Sequence, residues 1–237
     1  VLPGAARVLA VSRAEREQLE RLGVAPGALR VLPNPVDAEE LDPRPASGLL
    51  RRRLGADVQR VVLYLGTLLP RKGVDVLVRA MPYLGTRGVA LAIAGNDLGA
   101  GPRVRAALRG LGAAARVRLL GQVEGRERAA LLADADVVAY PGRAEAFGLV
   151  ALEALLCGAP VVVADDSGCG EVVAGVGGGR LVAPDDPRAL AGALDDVLAA
   201  PERWRSAARE AGVRVRERFS VEAVAAGLDA AYREVLA

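Results

Sequence analysis

Short aliphatic runs alternate with stretches of helical periodicity along nearly the whole chain. The runs Val8 to Val11, Leu29 to Leu32, Val61 to Leu65, Val89 to Ala94, Val117 to Leu120, Val137 to Tyr140, Val161 to Ala164 and Arg180 to Val182 predict strands. Between them fall helix signals. Ser12 with Glu15 forms a capping box for a helix reaching about Leu22. Asp186 before Pro187 opens another, with Leu190, Leu194, Val197 and Leu198 on one stripe. Ser220 caps a last helix whose expected buried face is Val221, Val224, Ala225, Leu228, Tyr232 and Val235. Strands that alternate with helices in this way predict an α/β fold, a doubly wound parallel sheet with helices on both faces.

Asn34-Pro35-Val36-Asp37 breaks the alternation, and the segment after it is rich in Pro, Asp and Arg. The expected division is residues 1–36 as a strand-helix-strand piece of another sheet, 37–59 as a linker with one short helix at Leu49 to Leu54, 60–218 as the main domain and 219–237 as a terminal helix. Two strands and a helix bury too little to fold alone. Residues 1–36 therefore read either as joining the main sheet or as the end of an amino-terminal domain, and the opening Val1 in place of methionine fits the second.

Composition narrows the chemistry. The 237 residues are 52% hydrophobic but only 3% aromatic, so Val, Leu and Ala must build the core, as in buried parallel strands. A formal net charge of +2 without a basic, aromatic-interleaved stripe predicts no nucleic-acid partner. Arg51-Arg52-Arg53 reads as a solvated helix face. Histidine is absent, which removes Ser-His-Asp and Cys-His nucleophile systems and histidine-based zinc sites. Cys157 and Cys169 alone cannot hold a metal cluster, and together with the lack of a leader they predict a reduced, cytoplasmic setting. Asp134-Ala135-Asp136 has the spacing of a metal-binding pair but reads as boundary residues at a helix end and a strand start. No metal and no cofactor are expected.

In an open parallel sheet, ligands bind beyond the carboxyl ends of the strands, which gives weight to four loops. Gly66 to Gly73 follows a strand and carries Lys72, the one lysine among 31 basic residues. A compact ammonium suits a phosphate oxygen, whereas arginine suits planar, two-pronged partners. Gly95-Asn96-Asp97 and Gly121-Gln122-Val123 place glycine at strand exits, where a ligand can approach the main chain. Pro141 to Leu149 ends in a helix expected to start near Phe147, whose first-turn amides form an anion site. Glu145 and Glu153 bracket that helix start. Glu153 lies among Leu149, Val150, Leu152, Leu155 and Leu156, so its carboxylate needs a hydrogen-bonding partner: a ribose diol, or one of the arginines.

From about Val58 onward the chain resembles the nucleotide-sugar-binding domain of the family 4 (group 1) retaining glycosyltransferases, one half of a GT-B fold of two Rossmann-like domains. The marks are Lys72-Gly73 after Gly66, the Gly121 turn, Asp134-Ala135-Asp136, Glu145 and Glu153 around Phe147-Gly148-Leu149, Gly158-Ala159-Pro160-Val161-Val162 and Gly168-Cys169-Gly170-Glu171-Val172-Val173. Val11-Ser12 and Pro33-Asn34-Pro35-Val36-Asp37 resemble the segment that closes the family's amino-terminal domain, onto which the last helix packs back.

The resemblance implies transfer of a sugar, with retention, from a nucleotide diphosphate sugar to an unknown acceptor (a sugar, a lipid or a small molecule). It implies donor binding by Gly66, Thr67, Lys72, Val123, Ala146, Phe147, Gly148, Leu149 and Glu153. Lys72 would hold the diphosphate, the amides of Gly148 and Leu149 its distal phosphate, Glu153 the ribose and the main chain at Val123 the base. Glu145 would be the catalytic carboxylate facing the sugar, with backbone contacts from Ala146 and Phe147. Peripheral membrane association would run through the amino-terminal domain. Thr67 stands where the family usually has arginine, so one cation is lost unless Arg71 supplies it, and Asn34-Pro35 replaces the usual Asn-Gly turn. The alternative reading is a module that binds a nucleotide or nucleotide sugar without catalysis. A dehydrogenase is excluded because no Gly-x-Gly-x-x-Gly follows a strand. A pyridoxal-phosphate phosphorylase would need Lys72 for its Schiff base, away from phosphates.

Overall fold

A computed structural model describes residues 4–39, 41, 48–55, 57–111 and 116–236. The parts of the expected linker at 40, 42–47 and 56 lie outside them.

Two short strands, β1 (Val8–Ala10) and β2 (Leu29–Val31), pair in parallel as a sheet of their own, bridged by helix α1 (Arg13–Arg21). Their core is small: Val8, Val24 and Leu29 with Leu19 and Ala28 against them. Such a unit needs outside support, and the start of α1 receives it. Ser12 Oγ accepts from the Glu15 N–H at 3.1 Å while Glu15 reaches back to the Val11 N–H at 2.6 Å, so the capping box forms one residue wider than its usual span. The next two amides, of Arg13 and Ala14, donate at 3.1 and 3.0 Å to the carboxylate of Glu171 in the main domain. A charge-assisted cap at a helix N-terminus is favourable for both hydrogen bonding and the helix dipole.

Helix α2 (Leu49–Leu54) leads into the main domain. It begins on Gly48, which has no side chain to cap it, and the cap comes from far along the chain. Asp134, fully buried, accepts from the N–H groups of Gly48 and Leu50 at 2.9 and 3.0 Å. Asp136 accepts from the Val61 N–H at 2.8 Å and pairs with Arg51 at 2.7 Å. The acidic pair is thus an anchor that sews α2 to the sheet. Leu50 and Leu54 are buried in the main core.

The main sheet holds β3 (Arg60–Leu65), β4 (Val89–Ala94), β5 (Arg116–Gly121), β6 (Val137–Tyr140), β7 (Val161–Ala164) and β8 (Gly179–Val182), all parallel, in the order β5-β4-β3-β6-β7-β8. Helices α3 (Val74–Ala80), α4 (Gly101–Arg109), α5 (Gly125–Asp134), α6 (Leu149–Leu156), α7 (Gly168–Val176) and α8 (Pro187–Ala199) make the connections and cover both faces. This is the Rossmann-like α/β arrangement. Central β6 and β7 are buried at every position, which only continuous aliphatic runs permit. The edge strands β5 and β8 tolerate arginine and exposed leucine. The order reverses between β3 and β6, where the outgoing connections part to opposite sides and leave a crevice.

Two helices end the chain. In α9 (Pro201–Phe219) a charge-rich sequence hides a narrow stripe of Ala208, Ala211, Gly212, Val215 and Phe219 that packs against α6. Gly212 is there because a Cβ would stand 2.8 Å from the Leu155 carbonyl oxygen. Helix α10 (Val221–Leu236) starts at the expected Ser220 cap, which accepts from the Ala223 N–H at 3.2 Å. Its expected apolar face is corrected. Val224 is buried and Leu228 half-buried, but Val221, Ala225, Tyr232 and Val235 are exposed. The cause is what lies opposite: α10 meets the β1–β2 unit, with Glu234 on Arg30 and Gly227 beside Leu32, and that unit is too small to cover a stripe of about four turns.

Asp134→Ala should leave the part-buried Gly48 and buried Leu50 amides at the start of α2 without this acceptor and cost about 1 to 3 kcal/mol of stability, read from denaturant unfolding midpoints.

Candidate functional site

The crevice at the β3/β6 reversal is floored by two loops. Gly66 leaves β3 at φ +146°, and Gly95 crosses so close that a Cβ on it would stand 1.9 Å from the Gly66 carbonyl oxygen. The chain then makes a tight turn at Pro70–Lys72 and reaches Gly73 at φ +69°, where a Cβ would meet the Pro141 carbonyl oxygen at 2.6 Å. That close approach brings Lys72 beside the loop that leaves β6. The Arg143 N–H donates to the Arg71 carbonyl at 2.8 Å and joins the two loops.

The second loop, 141–148, is tied along its length to the start of α7. Ala144 sits in the left-handed region at φ 51°, and its N–H donates to Asp166 at 3.2 Å. The Glu145 N–H donates to Ser167 Oγ at 3.0 Å, and the Glu145 carbonyl accepts from the Cys169 N–H at 3.0 Å. A strained residue held by such surroundings is a mark of functional loops.

Glu145 is 6% exposed, and its side chain is the centre of a charged cluster. Lys72 Nζ donates to Oε2 at 2.7 Å, Arg71 to Oε1 at 2.8 Å, and the Tyr140 hydroxyl lies 3.2 Å from Oε2. The two cations are not equal partners. The Lys72 side chain is 13% exposed and that of Arg71 53%. Solvent screens the Arg71 contact to the level of a surface pair, about 0 to 1 kcal/mol, while the buried ammonium carries most of the compensation for the desolvated carboxylate.

Gly148 takes φ +81° and ends the loop, so α6 begins at Leu149 and not near Phe147 as expected. A left-handed residue cannot lie within a right-handed helix. Phe147 packs instead edge-to-face on Phe219, ring centres 5.6 Å apart. Only glycine fits at 148, because a Cβ would stand 2.3 Å from Cys169 Sγ. No side chain caps α6, and its first amides open toward the crevice.

A cavity of about 480 Å³ is lined by Lys72, Glu145, Ala146, Phe147, Gly148 and Leu149, all expected site residues, and by Asn34, Arg71, Tyr140, Ala144 and Val150. Gly66 and Thr67 shape the loop beneath without lining it, and Val123 packs on the core beyond β5. Glu153, 7% exposed on α6, is paired with Arg128 of α5, so of the two partners open to it the arginine is the one seen here. Tyr140 and Arg128 escaped the sequence reading. A tyrosine ending an aliphatic strand was the available signal for the first; nothing local marks the second.

The profile of "Glycosyl transferases group 1" matches residues 49–212, and that of "Glycosyltransferase Family 4" matches residues 1–40. The chain belongs to the group 1 glycosyl transferases. The D-inositol 3-phosphate glycosyltransferase of Segniliparus rotundus is 36% identical over 97% of this chain and 52% of its own length. The GDP-mannose-dependent alpha-(1-6)-phosphatidylinositol monomannoside mannosyltransferase of Mycolicibacterium smegmatis is 37% identical over 81% of this chain and 53% of its own. This group 1 chain therefore spans about half the length of the curated relatives it matches. Among solved structures, Anabaena HepE in complex with UDP and glucose superposes with a TM-score of 0.86 at 26% identity, covering 97% of this chain and 63% of that one. Sucrose-phosphate synthase from Thermosynechococcus elongatus gives 0.85 at 30%, covering 99% and 59%.

Among the described residues no group of three or more His, Cys, Asp or Glu is arranged to hold a metal, and no helix is long and apolar enough to cross a membrane.

Both cysteines are free and buried. Burial first, then the nearby Glu153, pushes Cys157 up to about 11, and burial with Glu145 pushes Cys169 up to about 12, from an ordinary value of 9.0. The folded protein holds these protons more tightly than the unfolded chain does. The resulting stability is complete below pH 9 and is lost as pH rises through the folded values. Unfolding midpoints should fall between about pH 9 and pH 12 in part through these groups, and the Cys157→Ala, Cys169→Ala double variant should show a shallower fall.

Proposed function

We propose that this chain is the donor side of a glycosyltransferase that moves a sugar from a nucleotide diphosphate sugar to an acceptor hydroxyl on a sugar, lipid or small molecule. One observation carries the reading: the Lys72 ammonium, the uncapped start of α6 and the Glu145 carboxylate all open into one cavity at the sheet reversal. A departing nucleoside diphosphate develops negative charge, and preorganised donors aimed at it lower the barrier. Lys72 and the amides at Gly148 and Leu149 are such donors, with Arg71 at the rim on Glu145 as a further cation in a site where Thr67 brings none. They supply the field a metal would otherwise bring, which supports metal-independent transfer.

In this reading Glu153 hydrogen-bonds the ribose, the main chain near Val123 meets the base, and Gly66 and Thr67 shape the phosphate loop. Glu145 faces the sugar, with Ala146 and Phe147 offering backbone groups. The UDP and glucose held by Anabaena HepE support this donor class. Retention is carried over from the family resemblance. Residues 1–36 are assigned to an acceptor-side domain, 37–59 to the linker, 60–218 to the donor domain and 219–237 to a helix that returns toward the acceptor side; the separate β1–β2 sheet supports that division. Two free, buried thiols fit a reducing, cytoplasmic setting.

Lys72→Ala removes a charge-assisted contact of about 1.5 to 3 kcal/mol and should weaken nucleoside diphosphate binding roughly tenfold to over a hundredfold in calorimetric titration. Equal affinities for wild type and variant would refute the assignment.

A further inference from the structure

Tyr140 closes β6 with its ring stacked beside Tyr64 of β3, centroids 6.3 Å apart and planes 18° from parallel. The Tyr64 hydroxyl donates to the Thr67 carbonyl at 2.9 Å, near the start of the lysine loop. The Tyr140 hydroxyl stands at the other end of that loop, between Lys72 and Glu145 of the neighbouring loop. It accepts from Lys72 Nζ at 2.5 Å and donates to Glu145 Oε2 at 3.2 Å. A phenol has one donor and spare acceptor capacity, so both contacts are made together while it keeps its proton. Burial, then the Glu145 carboxylate, holds that proton well above the ordinary range.

We propose that Tyr140 is a positioning residue for donor binding: its hydroxyl holds the Lys72 ammonium in place for the incoming diphosphate. The proposal rests on the donor-site reading above. A lysine stem has four rotatable carbons, and ordering it only when a ligand binds costs affinity. Glu145 also holds the ammonium, but as a counter-charge that a phosphate must compete with. A neutral hydroxyl orders the lysine without cancelling its charge. The ammonium has three donors, so it can keep Tyr140 while a phosphate oxygen takes another.

Tyr140→Phe keeps the ring, its stacking on Tyr64 and the 5.0 Å contact of Lys72 with the ring face, and removes only the oxygen. The test compares UDP with UMP and GDP with GMP by calorimetry, using the pair that binds more tightly, in wild type, Lys72→Ala, Tyr140→Phe and the double variant. Tyr140→Phe should lower the preference for diphosphate over monophosphate about three- to tenfold with monophosphate affinity unchanged, and should add nothing to Lys72→Ala.

If Lys72→Ala keeps the wild-type preference, the donor-site reading fails and the proposal falls with it. If Lys72→Ala loses the preference but Tyr140→Phe keeps it, the donor site stands and the positioning role is wrong. Equal weakening of both nucleotides by Tyr140→Phe also overturns it, by showing a structural role. A second measurement does not depend on the variant folding. Because Lys72 is the chain's one lysine, lysine labelled with carbon-13 at Cε gives a single side-chain resonance. In the unliganded wild type it should be dispersed and motionally restricted; a sharp signal at the free-lysine position would sink the proposal.

Discussion

An ionised carboxylate inside a hydrocarbon interior must be met by charge and hydrogen bonds, and Glu145 imposes that requirement on everything around it. It is 6% exposed in a loop bordered by β6 and α6. Its compensation is drawn from the far side of the sheet reversal, so the β3 loop has to fold across toward the β6 loop. Gly73 allows the approach to Pro141, and Gly66 and Gly95 let the neighbouring strand exits pass at contact distance. The glycines, the lysine and the glutamate are separate consequences of one electrostatic constraint.

The scaffold around this cluster is rigid where the chemistry requires it. Four backbone groups of the loop at 143–145 are fixed by partners in the β3 loop and the start of α7. That same α7 carries Glu171, which caps α1 of the β1–β2 unit. One short helix thus holds the Glu145 loop on one side and the small sheet on the other. The order of the strands brings these elements together, since a parallel sheet gathers every strand exit on one edge.

Most of the fold was legible along the chain. Strands at 89–94, 137–140 and 161–164 coincide with their aliphatic runs, and helix starts at Ser12, Asp186 and Ser220 follow from side chains that cap them locally. These are short-range effects, set by residues a few positions apart. The misreadings are where distant groups intervene. Helix α6 starts later than its apolar pattern implies, because Gly148 must pass Cys169 in the left-handed region. The stripe on α10 is largely exposed because burial depends on what lies opposite. Asp134 and Asp136 do stand at a helix end and before a strand as expected, and what the sequence left unseen is that they also anchor α2 across some 85 residues of sequence.

By itself the sequence determined the parallel α/β class, the strand-exit loops and the candidate residues Lys72, Glu145 and Glu153, because hydrophobic period, turn chemistry and the rarity of one ammonium are properties of the chain alone. Only the tertiary structure decided who meets whom: Lys72 and Arg71 on Glu145, Tyr140 between Lys72 and Glu145, Arg128 on Glu153. Side-chain pairing across a sheet depends on strand order and on angstrom-scale approach of backbones, and neither quantity is encoded in spacing along the chain.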